Sequence, residues 1–479
     1  MKRKISSILG AILMFCTCIV FNSTVISAGG NTLTGKTEKM VIEGFDWGPG
    51  VTKIVISLDN EITEINKNDL LLKETKQGVF GDVEEPKEKE IAAAYISDIE
   101  GNQSIAGASS KYITIKPVVH PDKGSSPFSF LLTSFTNVYS EPYILEVTLR
   151  EGATIGTYDT LDIETTPKRK EKPLTNLFET GSYTSEGITH SYASYTPPTD
   201  EKKNPLVIWL HGAGEGGSDP EMIVLGNRVT ALVDDEFQTT LGGAYILAPQ
   251  SPTMWMDDGS GAYTQDGNSM YSDSLMNLIE EYVANNPDID TDRIYIGGCS
   301  NGGFMVMNLL FKSPTYFAAA FPICEAYEDA WIADEMLETI KHIPIWFTTA
   351  LDDTTVVSED NAIPTVARLK AMGALDVRLS TFDNVIDLSG RYKQDDGTPY
   401  QYMGHWSWIY TLNNECVDEN GQTIFAWLAK QTQTVETPKA KGSAEGGPKA
   451  GLQDNRSLLF ALAMLGFVGI VVSKKLKEN

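Results

Sequence analysis

Cysteine is scarce in this sequence, with five residues among 479, and two of them fall in the apolar segment near the amino terminus. The others are too few for a disulfide framework, so the folded domains must be stabilised by their cores. Basic residues are also few: 38 Lys and Arg stand against 64 Asp and Glu, a formal net charge of -26. Such a chain is repelled by a phosphate backbone, which argues against nucleic acid as a partner. We also find no internal repeat and no phosphate-binding loop, and we expect no cofactor.

Both ends of the chain carry sequence patterns typical of targeting and attachment signals. Residues 1–28 have the layout of a secretory signal peptide, with basic residues ahead of an apolar run. At the other end, a polar tether at residues 432–456 precedes an apolar stretch with a basic tail at residues 457–479. This tail suits either a retained membrane anchor or a cell-wall sorting signal, with residues 447–451 as a degenerate sorting pentapeptide. We therefore expect an exported protein at the cell surface, attached to the membrane or the cell wall.

The most informative motif is the pentapeptide GCSNG at residues 298–302. An apolar strand pattern precedes it, and apolar residues at helical spacing follow it. Glycine two residues before and after the serine leaves room for a sharp strand-to-helix turn that exposes a hydroxyl. We therefore predict that Ser300 is a catalytic nucleophile, with an ordinary glycine-rich turn as the alternative.

A hydrolytic triad also needs a histidine, which in an α/β-hydrolase follows the nucleophile in the chain. Only two of the five histidines do so. His342 directly precedes a strand pattern with no loop between them, whereas His405 lies in a loop after the last strand pattern. The acid is expected after the strand pattern that ends at Ala350, where Asp352 and Asp353 are both within reach. A metal site at these carboxylates is discounted, because no histidine or cysteine lies near them in the sequence.

An oxyanion hole requires two preorganised backbone N–H groups. One usually belongs to the residue after the nucleophile, which here is Asn301. The other is expected from the glycine-rich loop HGAGEGG at residues 211–217, with Ala213 as the donor. His211 precedes Ser300 in the chain, so we expect it to fix this loop rather than to act as the base.

From about residue 178 to residue 431 the sequence resembles α/β-hydrolase esterases that are often described as predicted peptidases. Four motifs carry the resemblance, in the family's order: LHGAGEGG at residues 210–217, PQ at residues 249–250 with Trp255, GCSNG at residues 298–302 and GHWSW at residues 404–408. The family's acid motif, G-x-x-D-x-x-V, aligns its aspartate with Asp353 and leaves Asp352 as the alternative. The resemblance implies an α/β-hydrolase fold over residues 177–431, with Ser300, Asp353 and His405 as its triad.

Upstream, residues 39–150 contain short alternating apolar runs separated by Gly, Asn, Asp and Pro, with almost no helical spacing. This pattern predicts an all-β sandwich. Strings such as GFDWGPGVTKIVISL and SKYITIKPVVHP resemble the immunoglobulin-like domain that precedes the catalytic domain in one branch of these esterases. A charged linker is expected at residues 151–176. Three roles stay open for the sandwich: bracing the hydrolase, covering its pocket or binding carbohydrate.

The sequence thus predicts a secreted, surface-anchored serine carboxylesterase that works through an acyl-enzyme without a metal. Trp255, Trp406 and Trp408 are candidates for lining the substrate pocket. The family resemblance and the predicted export point to acyl groups on polysaccharides, such as those of plant cell walls, as substrates. A serine peptidase with the same triad and a noncatalytic adhesion or carbohydrate-binding protein are the alternatives.

Overall fold

The computed structural model describes residues 30–433. The predicted signal peptide and C-terminal anchor lie outside the described residues, and of the predicted tether only residues 432 and 433 are included. No helix in the described range is long and apolar enough to cross a membrane. Strands make up the first part of this range, and strands alternate with helices in the second part.

The first part of the chain folds into strands that form a sandwich. They are β1 (Thr32–Phe45), β2 (Gly48–Ile62), β3 (Leu70–Thr75), β4 (Lys87–Lys89), β5 (Ile91–Ser97), β6 (Ser110–Pro117), β7 (Phe128–Leu131), β8 (Thr136–Tyr139), β9 (Ile144–Leu149), β10 (Thr160–Glu164) and β11 (Arg169–Glu171). One sheet has the order β10-β1-β2-β6-β5 with β11 beside β1, a second has the order β4-β3-β9, and β7 pairs with β8. Alternating apolar residues of the first two sheets, among them Ile42, Ile56 and Val147, share one core. The predicted immunoglobulin-like sandwich is confirmed.

Residues 151–176 differ from the linker that the sequence predicts. Strands β10 and β11 lie in this segment, and both pair in parallel with β1. Leu161 and Ile163 of β10 are buried in the core of the sandwich. Glu171 of β11 forms an ion pair with the buried amine of Lys39, at 3.2 Å. The linker prediction is wrong for these strands, because so few apolar residues among many charges do not show as a strand pattern.

The second part of the chain alternates strands with helices around one sheet. The strands are β12 (Glu179–Ser185), β13 (Ile188–Tyr195), β14 (Asn204–Leu210), β15 (Tyr245–Gln250), β16 (Ile289–Cys299), β17 (Ala319–Ile323), β18 (Ile345–Ala350) and β19 (Val377–Phe382). The α-helices are α1 (Glu221–Gly226), α2 (Asp235–Leu241), α3 (Ser272–Asn285), α4 (Asn301–Lys312), α5 (Asp334–Ile340), α6 (Ala362–Ala371), α7 (Trp408–Leu412) and α8 (Ile424–Leu428). The sheet order is β12-β13-β15-β14-β16-β17-β18-β19, and only the pairs that include β13 are antiparallel. The predicted α/β-hydrolase fold is confirmed.

Strand β14 shows how the sequence builds a core on each face of this sheet. All of its residues are buried, and side chains alternate between the two faces of a strand. Leu206 and Ile208 pack with residues of α3 and α4, whereas Val207 and Trp209 pack with residues of α2, α7 and α8. Because β14, β16, β17 and β18 run parallel, side by side in that order, the loops at their carboxyl ends meet at one edge of the sheet.

The sandwich contacts the hydrolase domain through its loops. The turn between β1 and β2 carries Asp46, whose Oδ1 accepts hydrogen bonds from Arg228 Nη1 and Asn413 Nδ2, both at 3.2 Å. In the hairpin of β7 and β8, the Tyr139 hydroxyl donates to Glu221 Oε2 at 2.8 Å. These contacts hold the sandwich against α1, the residues that follow it and the end of α7.

Candidate active site

Ser300 lies in the turn between β16 and α4. Its backbone angles, φ 56° and ψ -116°, are outside the regions that non-glycine residues ordinarily occupy. A Cβ added at Gly298 or Gly302 would lie 2.5 or 2.0 Å from the carbonyl oxygen of Leu210 in the neighbouring strand. The turn therefore requires glycine at both positions, for the steric reason that the motif suggests. Ser300 lines a cavity at this edge of the sheet.

His405 and Asp353 form a hydrogen-bonded pair. His405 Nδ1 lies 2.8 Å from Asp353 Oδ2, so the proton belongs on Nδ1 when the carboxylate is ionised. The backbone N–H groups of Thr355 and Val356 donate to Asp353 Oδ1 at 2.8 and 2.9 Å. The Asp353 side chain is 0% exposed. This arrangement fixes the imidazole and leaves Nε2 as its proton acceptor.

Asp352 has a different environment. Its side chain is exposed to solvent, and its pKa is raised by partial burial of the carboxyl group. A Cβ added at Gly404 would lie 2.3 Å from Asp352 Oδ1, so Asp352 packs against the residue that precedes the histidine. Of the two aspartates, the structure brings Asp353 to the imidazole.

Ser300 and His405 line the same cavity. Within residues 30–433 the structure shows no hydrogen bond between Ser300 Oγ and the imidazole. Such catalytic hydrogen bonds are often long without substrate and shorten when it binds. The roles of Ser300, His405 and Asp353 stay predictions, and the shared cavity is the geometry that they require.

The two predicted oxyanion donors also line this cavity. Asn301 is the first residue of α4, and Ala213 opens a short 3-10 helix over residues 213–215. The first N–H groups of a helix have no acceptor within it, so both amides are suited to an external oxygen. The structure brings both segments to the nucleophile, and their role as donors stays a prediction.

His211 holds the glycine-rich loop in place. Its Nδ1 lies 2.6 Å from the Gly212 carbonyl oxygen, and its Nε2 accepts a hydrogen bond from the Ser251 N–H at 3.0 Å. Complete burial lowers the pKa of His211 to about 4. The ring is therefore neutral and has both nitrogens engaged, which agrees with the loop-fixing role expected from the sequence.

The cavity has a volume of about 400 Å³ and lies between the two domains. The hydrolase contributes the candidate catalytic residues, together with Trp406 and Trp408. The sandwich contributes one wall, which consists of Trp47, Val79, Phe130, Leu132, Phe135 and Asn137. Among the described residues that line the cavity there is no lysine or arginine. The pocket is thus largely apolar and aromatic.

Trp255 does not reach this cavity, contrary to the prediction. Its side chain is 0% exposed and packs against His190 and His211, with ring centroids 5.9 and 5.1 Å away. Its backbone N–H donates to the Asn301 side-chain oxygen at 2.5 Å. Trp255 thus supports the loops next to the site, and its ring packs in the hydrophobic core rather than against the cavity.

The residues that the sandwich supplies to the cavity wall were not predicted from the sequence. Phe130 and Phe135 lie in a separate domain, and no motif there marks them. Glu215 was also assigned no role, although this residue belongs to the HGAGEGG string and lines the cavity. An acidic residue within a glycine-rich catalytic loop is a signal that sequence reading can use.

Cys299 is adjacent to the nucleophile but is fully buried, and burial raises the pKa of its thiol. A neutral thiol is a poor nucleophile, so Cys299 is a packing residue of the turn. Within the described chain, no group of three or more His, Cys, Asp or Glu side chains is arranged to hold a metal ion.

Two family models match parts of the chain. Residues 38–160 match the model described as the Esterase Ig-like N-terminal domain. Residues 254–349 match the model of the Prolyl oligopeptidase family, and this segment contains Ser300. No functionally curated protein matches the chain.

Several solved structures are similar to the chain. A thermostable esterase has 23% identity and a TM-score of 0.64, with 83% of this chain and 99% of that chain covered. A ferulic acid esterase has 11% identity and a TM-score of 0.38, covering 53% and 98%. An acylaminoacyl peptidase from Pyrococcus horikoshii has 15% identity and a TM-score of 0.34, covering 69% and 61%. The first similarity is one of fold, and it extends over both domains. Taken with the family match over residues 38–160, it shows the fold of this chain: an immunoglobulin-like domain followed by a domain of the α/β-hydrolase fold.

Proposed function

We propose that this protein is a carboxylesterase that hydrolyses its substrates through an acyl-enzyme on Ser300. The observation that carries the proposal is the convergence on one cavity of the strained Ser300 turn, the hydrogen-bonded pair of His405 and Asp353, and the amides of Ala213 and Asn301. A nucleophile, an oriented base and two oxyanion donors are the groups that acyl transfer requires.

In the proposed reaction, Ser300 Oγ attacks the ester carbonyl carbon while His405 Nε2 accepts its proton. The N–H groups of Ala213 and Asn301 donate to the resulting oxyanion. The tetrahedral intermediate then breaks its bond to the alcohol, which leaves with the proton from His405. A water molecule that gives one proton to His405 attacks the acyl-enzyme, and collapse of the second intermediate releases the acid while His405 returns that proton to Ser300 Oγ. Asp353 stabilises the imidazolium in both halves of the cycle.

The walls of the cavity indicate an acyl group that is apolar or aromatic and carries no charge. Apolar pockets favour ligands of this kind, and an acyl group with a free carboxylate would lose its hydration without meeting a cation. Phe130 and Phe135 on one side and Trp406 and Trp408 on the other offer aromatic surfaces. We propose that such acyl groups are carried by polysaccharides, including those of plant cell walls.

We further propose that the enzyme is exported and held at the cell surface. The support is in the sequence: a signal-peptide layout in residues 1–28 and an apolar stretch with a basic tail in residues 457–479. Fractionation of producing cells tests the attachment. Release of the protein by muramidase would indicate a sorting signal, and extraction by detergent alone would indicate a retained membrane anchor.

Peptide hydrolysis is the second candidate function, because residues 254–349 match the Prolyl oligopeptidase family model. The same triad cleaves esters and amides, which differ in their leaving groups. An ester and an amide that share one acyl group separate the two functions in a side-by-side assay. Faster turnover of the amide would favour the peptidase.

A fluorophosphonate probe tests the serine hydrolase chemistry without knowledge of the substrate. We expect a single adduct, which peptide mass spectrometry locates on Ser300. A protein that the probe does not label would be a noncatalytic surface protein, and the esterase proposal would fail.

A further inference from the structure

Glu215 is a buried carboxyl group that the proposed reaction does not use. It lies in the glycine-rich loop two residues after Ala213, and it is 4% exposed. Its Oε1 accepts a hydrogen bond from Asn137 Nδ2 at 2.8 Å, and Asn137 belongs to β8 of the sandwich. Its Oε2 accepts a longer one, 3.5 Å, from Asn227 Nδ2. The two domains thus meet at this carboxyl group, on the wall of the cavity.

The side chain of Glu215 lies between the two segments that carry the proposed oxyanion donors. A Cβ added at Gly212, the residue before Ala213, would be 3.3 Å from Glu215 Oε2 and 3.7 Å from Cys299 Sγ. Cys299 in turn precedes Ser300. The backbone of Glu215 is held as well, because Gln250 Nε2 donates to its carbonyl oxygen at 2.7 Å. A shift of this carboxyl group would therefore move the loop at Ala213.

Within the part of the chain that the structure describes, the groups that face Glu215 are amides and a thiol rather than cations. Asn137 and Asn227 face it from the sandwich and from the loop after α1, and the thiol of Cys299 faces it from β16. Burial raises the pKa of Glu215 to about 7, although both amides oppose this effect. A buried carboxyl group without a cationic partner costs stability. Its presence at this point in the cavity wall indicates a role in the reaction rather than in folding.

We propose that Glu215 is a positioning residue for the ester hydrolysis proposed above, and that the hydrogen bond from Asn137 sets its geometry. Asn137 would then act from the sandwich on the oxyanion hole, through Glu215 and the backbone of the loop. This inference rests on the proposed function. It differs from simple bracing, because it assigns the effect to one hydrogen bond among those that join the two domains.

The test compares Asn137→Ala with a matched control, Tyr139→Phe. Tyr139 lies two residues further along β8 and bonds Glu221, which is not on the cavity wall. Each variant thus removes one hydrogen bond between the domains, and only the first touches the oxyanion loop. The readouts are kcat and KM for a short aryl ester and the rate constant for phosphonylation by a fluorophosphonate, which also forms an oxyanion.

We expect Asn137→Ala to lower kcat and the phosphonylation rate about tenfold, with KM within about twofold of the wild type, because loss of a whole oxyanion donor costs about 100-fold or more. Tyr139→Phe should leave all three values unchanged. Glu215→Gln, which keeps the size of the side chain, should lower kcat without lowering the melting temperature. In a double variant with Glu215→Ala, Asn137→Ala should add less than about twofold, since both act through one contact.

Several results would overturn the proposal. They are wild-type kcat in Asn137→Ala, an equal loss of kcat in Tyr139→Phe, a loss confined to KM, and failure of both Asn137→Ala and Glu215→Gln to fold, which would show a structural role. Measurements on the wild-type protein distinguish failure of this inference from failure of the proposed function. If the probe labels Ser300 but no ester is hydrolysed, the esterase proposal fails, and the phosphonylation rates still decide whether Glu215 positions the loop.

Discussion

At the scale of single residues, the two aspartates after β18 show how environment separates neighbouring groups of the same type. Asp353 is buried and accepts hydrogen bonds from His405 and from two backbone amides. Asp352 is exposed and packs against Gly404. Both residues lie in the turn that follows β18, and of the two side chains only that of Asp353 meets the imidazole.

Substitution by asparagine tests this difference at Asp353. Asp353→Asn should lower kcat for an aryl ester by about 10⁴-fold, because the amide favours the wrong imidazole tautomer and no longer stabilises the imidazolium. Asp352→Asn is the matched control and should stay within about threefold of the wild type. Equal losses in the two variants would contradict the assignment of Asp353 as the acid.

The pH dependence of stability tests the burial of Glu215. Its pKa is raised to about 7 in the folded protein, against about 4.3 in the unfolded chain. The folded state therefore binds more protons between these values, and its stability falls as pH rises through this range. Glu215→Gln removes this penalty, so its melting temperature should exceed that of the wild type at pH 8 by more than at pH 5. A difference that does not vary with pH would contradict the raised pKa.

The candidate triad was accessible from the sequence because each member has a local signal. Ser300 lies in a turn that requires glycine at Gly298 and Gly302 for steric reasons. His405 is one of the two histidines that follow it in the chain. The choice between Asp352 and Asp353 needed a family motif, since side-chain direction at a strand end is not readable from composition. Trp255 was misjudged because proximity to a motif does not show whether a side chain faces the cavity or the core.

At the scale of elements, the hairpin of β7 and β8 joins the sandwich to the candidate site. Phe130 of β7 and Phe135 of the connecting turn lie on the cavity wall, with ring centroids 6.3 Å apart. Asn137 of β8 bonds Glu215, 78 positions further along the chain. Contacts over such separations leave no periodic pattern in the sequence, so the role of this hairpin was not predictable.

Shortening Phe135 should alter the choice of acyl group. Phe135→Ala removes aromatic surface from the wall, so we expect kcat/KM for an aromatic acyl ester to fall about 5- to 30-fold, or about 1 to 2 kcal/mol of binding. The value for the corresponding acetyl ester should change little. Phe80→Ala is the control, because Phe80 is 62% exposed and is not part of the wall. An equal loss for both esters would contradict a role of Phe135 in acyl binding.

At the scale of the whole molecule, the two domains share the candidate site and are joined by contacts of unequal strength. Asp46 is buried at the interface and bonds Arg228 and Asn413. Lys123 and Asp395 also form an ion pair between the domains, at 2.9 Å, but their side chains are 44% and 91% exposed. Buried polar contacts cost more to break than exposed ones, because the remaining partner cannot regain its hydration.

Substitutions at these two contacts should have different effects on stability. Asp46→Ala leaves Arg228 and Asn413 without this acceptor and should lower the free energy of unfolding by about 1–3 kcal/mol. Asp395→Ala should leave it nearly unchanged, because the ion pair that it removes is exposed to solvent. Denaturant titration of both variants measures the difference, and similar effects would contradict the interface described.

The order of two domains was predictable, because period-two runs give way to strands that alternate with helical spacing. The extent of the sandwich along the chain was not predictable. Strands β10 and β11 add to its sheet only through pairing with β1, more than 100 positions earlier in the chain. Charged residues dominate the sequence of that segment, and its strand conformation comes from pairing with β1 in the folded protein.

The most direct test of the esterase proposal is turnover of a short aryl ester by Ser300→Ala beside the wild-type protein, with thermal melting as the check on folding. The triad assignment predicts a loss of about 10⁴-fold or more in kcat with an unchanged melting temperature. Turnover by a folded Ser300→Ala protein within about tenfold of the wild type would contradict the assignment of Ser300 as the nucleophile.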